Sequence, residues 1–93
     1  MSSNVQNKTD YSKDPRWQEV AAEKAKGDAL DKTSWVHTDK AIDAIADKHF
    51  GTVRSETVKA IEASAQARTH YNKSNDIALQ IARDASKENC IIC

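Results

Sequence analysis

The residues of this chain best suited to chemistry are its two cysteines, which stand together in the last four positions, Cys90-Ile91-Ile92-Cys93. A cysteine, two aliphatic residues and a final residue form the pattern in which a thiol receives an isoprenoid through a thioether bond. The pair could instead form a redox couple or bind a metal. A redox Cys-x-x-Cys works at a helix start beside a βαβ pattern, and a metal site needs about four ligands, so lipidation fits best.

This tail resembles the CaaX prenylation box of Ras-type GTPases, G-protein γ subunits and other small lipidated eukaryotic proteins. The resemblance covers four residues. It implies that Cys90 carries the lipid and that Ile91, Ile92 and Cys93 are removed before carboxyl methylation. A last residue other than Leu or Phe favours farnesyl over geranylgeranyl. In an organism without prenyltransferases the tail would stay unmodified.

A single prenyl group binds membranes only reversibly, and a stable anchor needs a second signal. The sequence offers no upstream cysteine for palmitoylation, and Arg83 and Lys87 are balanced by Asp84 and Glu88. The chain starts without the apolar segment of a secretory signal and without a glycine at position 2 for myristoylation. We therefore expect a cytoplasmic lipoprotein that associates reversibly with the cytosolic face of a membrane.

Residues for catalysis or cofactor binding are not predicted. His37, His49 and His70 are far apart in the sequence, and the acidic residues alternate with lysine as on a solvated face. Two glycines in the whole chain do not suffice for a phosphate-binding loop. We expect no enzyme, no metal, no cofactor and no small-molecule substrate, and an unidentified protein as partner.

Length, charge and composition favour one small helical domain. The 93 residues carry 14 basic and 14 acidic side chains, so no net charge draws the chain to nucleic acid or anionic lipid. We predict a disordered arm over residues 1–13, a helical domain over 14–89 and a flexible CaaX-like tail over 90–93. Much of the apolar content is alanine, which predicts a thin core.

Hydrophobic spacing predicts an all-α bundle of about four short helices. Asp14 before Pro15 is a strong start signal, and Gly27 marks the first helix end. After a connector over 30–36, whose Trp35 and Val36 should plug the core, a second helix runs from 38–39 to Gly51. A third begins at 55 and ends at the breaker 72–75, and a fourth follows. The stripes at helical spacing are Trp17, Val20, Ala21 and Ala25, then Ala41, Ile42, Ile45, Ala46 and His49 with Phe50 at the edge, then Val58, Ile61 and Ala65, then Ile77, Ala78, Ile81, Ala82 and Ala85.

Residues 38–46 match residues 57–65 at six of nine positions. The match indicates either a duplicated helical unit that packs as an αα-hairpin or the chance recurrence of Ala, Lys and Ile in amphipathic helices.

We therefore expect a non-enzymatic helical interaction or adaptor module that is tethered reversibly to a membrane, and two alternatives to it remain. Residues 41–63 resemble a helix-turn-helix, which would direct Arg54, Ser55, Thr57 and Lys59 to a DNA groove. Nucleic acid is disfavoured because Glu56 and Glu62 lie among these few positive charges. Residues 38–89 also resemble the repeat of seed-maturation-type late-embryogenesis proteins, in Lys59-Ala-Ile-Glu-Ala, Ala67-Arg68-Thr69 and residues 77–86. That resemblance implies a hydrophilic stress or desiccation protectant, although the family's glycine-rich centre is missing.

Overall fold

The computed structural model describes residues 9–89, which form a short 3-10 helix and two long α-helices. The 3-10 helix spans Tyr11–Lys13, α1 spans Arg16–Ala46 and α2 spans Phe50–Asn89. The all-α prediction is confirmed, and no strand occurs in the part of the chain described. The prediction of about four short helices is wrong, because two helices of 31 and 40 residues take their place.

The predicted helix breaks fail because contacts with the facing helix override local preference. Gly27 lies buried inside α1, where a Cβ would come within 2.6 Å of a ring carbon of Tyr71, so it serves close packing rather than a helix end. The predicted connector 30–36 is helical. The predicted breaker 72–75 is helical too, and there the buried Ser74 hydroxyl donates to the Val20 carbonyl at 3.2 Å.

The start of α1 follows the sequence signal. Asp14 is extended, and its carboxylate accepts the backbone N–H of Arg16 at 2.8 Å, as a helix-capping side chain does. Pro15 already has helical dihedral angles. The Arg16 guanidinium then holds Asp14 and also reaches Asp84 of α2 at 2.9 Å, so the same residue fastens the start of one helix to the end of the other.

The two helices are joined by a three-residue turn over 47–49 and run antiparallel. The His49 N–H donates to the Ala44 carbonyl at 2.8 Å, and the Lys48 N–H donates to the Ile45 carbonyl at 3.0 Å. These two bonds form a Schellman motif. Its left-handed position is filled by Lys48, with φ of 61°. Gly51, predicted to close a helix, lies instead in the first turn of α2.

Buried and half-buried residues alternate at spacings of three and four along both helices, which is the heptad pattern of a two-stranded coiled coil. We call these positions the seam. Its buried apolar residues are five alanines and one isoleucine: Ala41, Ala44, Ala60, Ala63, Ala67 and Ile81. Small seam residues let the helices approach closely but bury little area.

The hairpin is a rod. Its radius of gyration is 21.2 Å, whereas a compact domain of this length has one of about 12 Å. Within the predicted disordered arm, residues 9–13 lie against the end of α2, where the Tyr11 hydroxyl donates to Glu88 at 2.6 Å. Residues 1–8 of that arm, and the tail 90–93, lie outside the described residues.

Candidate functional site

The half of the seam far from the turn, here called the open half, contains a carboxylate that is surrounded by nitrogen donors. Glu23 of α1 is 4% exposed, and His70 Nδ1 of α2 lies 2.6 Å from its Oε2. Lys73 Nζ lies 3.2 Å and Lys26 Nζ lies 3.7 Å from its other oxygen. The hydrogen bond from His70, followed by that from Lys73, lowers the pKa of Glu23 and outweighs its burial, which alone would raise it. Glu23 is therefore an ionised, well-partnered carboxylate inside the seam.

The turn half of the seam repeats this arrangement with the helices exchanged. Glu56 of α2 lies 2.5 Å from His37 Nδ1 of α1 and 3.8 Å from Lys59 Nζ. Hydrogen bonding to His37 lowers the pKa of Glu56, and the charges of Lys59 and Lys40 act in the same direction. Each helix thus supplies the glutamate of one cluster and the histidine of the other.

The two clusters arise from a repeat in the sequence with an offset of 33 residues. The first copy reads Glu23-x2-Lys26-x10-His37-x2-Lys40, and the second reads Glu56-x2-Lys59-x10-His70-x2-Lys73. The match of 38–46 to 57–65 has a different offset and does not contain this repeat, and no single histidine reveals it. The signal that identifies it is the spacing of 14 residues from glutamate to histidine, which is two heptads and so returns both to one helix face.

The clusters are suited to orienting the two helices relative to each other. Among residues 9–89 no group of three or more His, Cys, Asp or Glu side chains could hold a metal ion. Charged pairs inside a coiled-coil seam instead specify register and helix direction, because a slip of one heptad separates the charges. We interpret the clusters as the elements that align α1 with α2.

A second feature is an apolar face at the turn half of the rod, defined here by Ile42, Ile45 and Ile61 together with Trp35, which lies two helical turns before Ile42 on the same side of α1. The three isoleucines are 57, 54 and 62% exposed and border a groove of about 450 Å³. Only part of the stripe within residues 41–46 therefore lies in the core, since Ala41 is buried while Ile42 and Ile45 face outward. Trp35, expected to plug the core, is 64% exposed. In a hairpin each helix packs against only one neighbour. The apolar stripe of each helix is wider than this contact, so part of the stripe stays exposed.

The segments 38–46 and 57–65 lie side by side across this groove, as an αα-hairpin would place them. Ala41 and Ala60 occupy its floor in the seam.

The sequence-predicted site residues fall in two places. Cys90, Ile91, Ile92 and Cys93 lie outside the described residues, directly after Asn89 at the end of α2. Arg54, Ser55, Thr57 and Lys59 are exposed in the first three turns of α2. There Lys59 pairs with Glu56 and Thr57 borders the groove. The helices of a helix-turn-helix cross at about 90–120°, whereas α2 runs antiparallel along α1.

Comparison with family models, curated proteins and solved structures finds no match to this chain. Neither α1 nor α2 is long and apolar enough to cross a membrane. Function is therefore inferred from the residues and their geometry.

Proposed function

We propose that this protein is a non-enzymatic helical interaction module, tethered reversibly to a membrane through a prenyl group on Cys90. The observation that carries the interaction role is the apolar face. Ile42, Ile45 and Ile61 are each more than half exposed around one groove. Contiguous exposed apolar surface with a polar rim is typical of protein-binding sites.

The rod separates the tether from this face. Ile61 and Asn89 belong to the same helix, 28 residues apart, a distance of about 42 Å along its axis. A lipid on Cys90 would thus enter the membrane at one end while the face stays accessible near the other. With a single lipid and a charge-balanced approach, the module would exchange between membrane and cytosol.

The tether is tested by expressing the tagged chain in eukaryotic cells and measuring intact mass and membrane fractionation. We expect a farnesyl- or geranylgeranyl-sized addition, loss of residues 91–93 and partial recovery with membranes. Cys90→Ser should abolish all three. Cys93→Ser is the matched control, because Ser is a common last residue of farnesylated proteins. An unmodified wild-type C-terminus would exclude the tether.

The interaction role is tested by a photo-crosslinking residue at position 61, with position 79 as control. Leu79 is 51% exposed but does not border the groove. We expect a crosslinked partner from position 61 and none from position 79. Equal yields from both would show that the apolar face has no special role.

A further inference from the structure

We infer that the partner on the apolar face is a second copy of this chain, and that two hairpins pack in parallel about a two-fold axis into a four-helix bundle. This inference rests on the proposed role of the face in interaction and does not require a lipid on Cys90.

The hairpin is a single layer of two helices. A domain core usually lies between two packed layers of secondary structure, but here the seam holds mainly alanine and one fully buried large side chain, Ile81. The chain exposes 7082 Å², whereas a compact monomer of its mass exposes about 5,400 Å². A standard interface covers about 800 Å² per partner, which the excess can supply while still leaving an extended molecule.

Charge complementarity between the two copies favours a parallel pair. The Tyr71 hydroxyl donates to Asp28 at 2.6 Å, so on the side of the groove a long side chain of α2 reaches a residue of α1 that lies nearer the hairpin turn than Tyr71 itself. One helical turn towards the hairpin turn, the corresponding residues are Asp31 and Arg68. In a parallel two-fold pair, α1 of one copy faces α2 of the other at the same level, and Asp31 meets Arg68 of the second copy. Arg68 borders the groove and forms no ion pair with any described residue of its own chain.

The same register places large side chains against small ones. The long indole of Trp35 meets Ser64 of the second copy, so the two apolar faces can interdigitate. An antiparallel pair centred on Ile61 would instead bring Arg54 close to Arg68 of the second copy and leave the open halves of both rods uncovered. Like charges and a smaller overlap disfavour it.

The parallel arrangement has a consequence for the tether. Both copies of Asn89 would lie at the same end of the bundle, so two Cys90 lipids could enter one membrane. Two linked anchors hold far more firmly than one. Dimerisation would therefore set how long the module stays on the membrane.

The test uses the full chain with Cys90→Ser and Cys93→Ser, which removes any lipid, in sedimentation equilibrium at micromolar concentration. We expect twice the chain mass of 10.3 kDa. Ile61→Asp should give monomers, whereas the control Leu79→Asp should remain dimeric, with helix content followed by circular dichroism. Arg68→Asp should weaken dimerisation at least tenfold, and adding Asp31→Arg should restore it. This charge exchange tests the dimer interface even if Ile61→Asp unfolds the chain.

Spin labels at Ser86→Cys test the orientation. A parallel pair should place the labels within about 30 Å, and an antiparallel pair centred on the groove about 75 Å apart, at 1.5 Å per residue. A monomer at all concentrations, or an equal loss in Leu79→Asp, overturns the inference, and a long distance overturns the parallel arrangement. If the chain is monomeric yet position 61 captures another protein, the proposed function survives with a different occupant. If the crosslinker at position 61 captures no protein, both the proposed interaction role and the inferred dimer fail.

Discussion

Glu23 and His70 join α1 to α2 through a contact of 2.6 Å, and Glu56 and His37 make the reciprocal contact 14 residues nearer the turn on each helix. Alanines in the rest of the seam are interchangeable, so they would tolerate a slip of one heptad. The two polar pairs would not, because each slip leaves a carboxylate inside the seam without its donor. The reciprocal pairs, together with the Gly27–Tyr71 contact and the Ser74–Val20 hydrogen bond, therefore define the register of the seam.

Acid should destabilise the hairpin. The native pKa values of Glu23 and Glu56 lie below their ordinary value of 4.5, so the unfolded chain binds more protons than the native one in acid. The stabilisation is complete above about pH 4.5 and is lost as pH falls through the native pKa values. Thermal unfolding followed by circular dichroism from pH 7 to pH 3 should show this decline.

The variant pair Glu23→Gln and Glu62→Gln tests the share of Glu23 in that decline. Glu56, Asp14 and Asp84 contribute to it as well, because their pKa values are also lowered. A neutral amide can still accept the His70 hydrogen bond but does not titrate, so Glu23→Gln should flatten the fall in Tm below about pH 4.5. Glu62 is exposed and has no hydrogen bond or ion pair with another described side chain, so Glu62→Gln should keep the wild-type profile. Parallel profiles in wild type and Glu23→Gln would contradict this assignment.

The two glycines should respond to alanine with opposite signs. At Gly27 a Cβ would lie 2.6 Å from the Tyr71 ring, and Gly27→Ala should destabilise the hairpin by about 1–3 kcal/mol through overpacking. At Gly51 an added Cβ would meet nothing within 4 Å apart from its neighbours in the chain and its own helix backbone. Gly51→Ala should therefore stabilise α2 by about 0.5–1 kcal/mol through helix propensity. Urea unfolding measures both, and a stabilising Gly27→Ala would show that the helices are further apart than described.

Glycine should be preferred at the turn. Lys48 has φ of 61°, a left-handed conformation that costs an ordinary residue about 1–2 kcal/mol. Lys48→Gly should therefore raise the free energy of unfolding by about 1 kcal/mol. Asp47, with φ of −89°, is the control, since glycine relieves no strain there. A gain at position 47 equal to that at 48 would point to a general effect of turn flexibility.

The Tyr71 phenol should ionise only in strong alkali. Its hydrogen bond to Asp28, together with desolvation, raises the pKa of Tyr71 from 10.0 to about 12. The stabilisation from this contact is present below about pH 10 and is lost as pH rises through the native pKa. A phenolate absorbance titration in a Tyr11→Phe background reports Tyr71 alone, because the chain has two tyrosines. Asp28→Asn should return the midpoint towards 10, and an unchanged midpoint would mean that Asp28 is not the cause.

Predictions from short sequence patterns were correct where a single physical cause determines the local structure. The all-helical class follows from the spacing of apolar residues, and the start of α1 follows from Asp14 and Pro15. Gly27 and the segment 72–75 misled, because glycine and asparagine serve both helix ends and close helix contacts, and the sequence alone does not distinguish the two uses. The Glu–His clusters were accessible from the 33-residue repeat, since heptad spacing fixes which residues share a face.

By itself the sequence determined the helical class, the start of α1, the Glu–His spacing that recurs at an offset of 33 residues and a tail with the form of a prenylation box. These depend on residues close together or on a fixed helical period. Only the tertiary structure decided that residues 16–89 turn once, at 47–49, and that Ile42, Ile45 and Ile61 remain outside the core. Pairing two helices buries one stripe of each, and which stripe is buried depends on the facing helix, whose register is a property of the assembled pair.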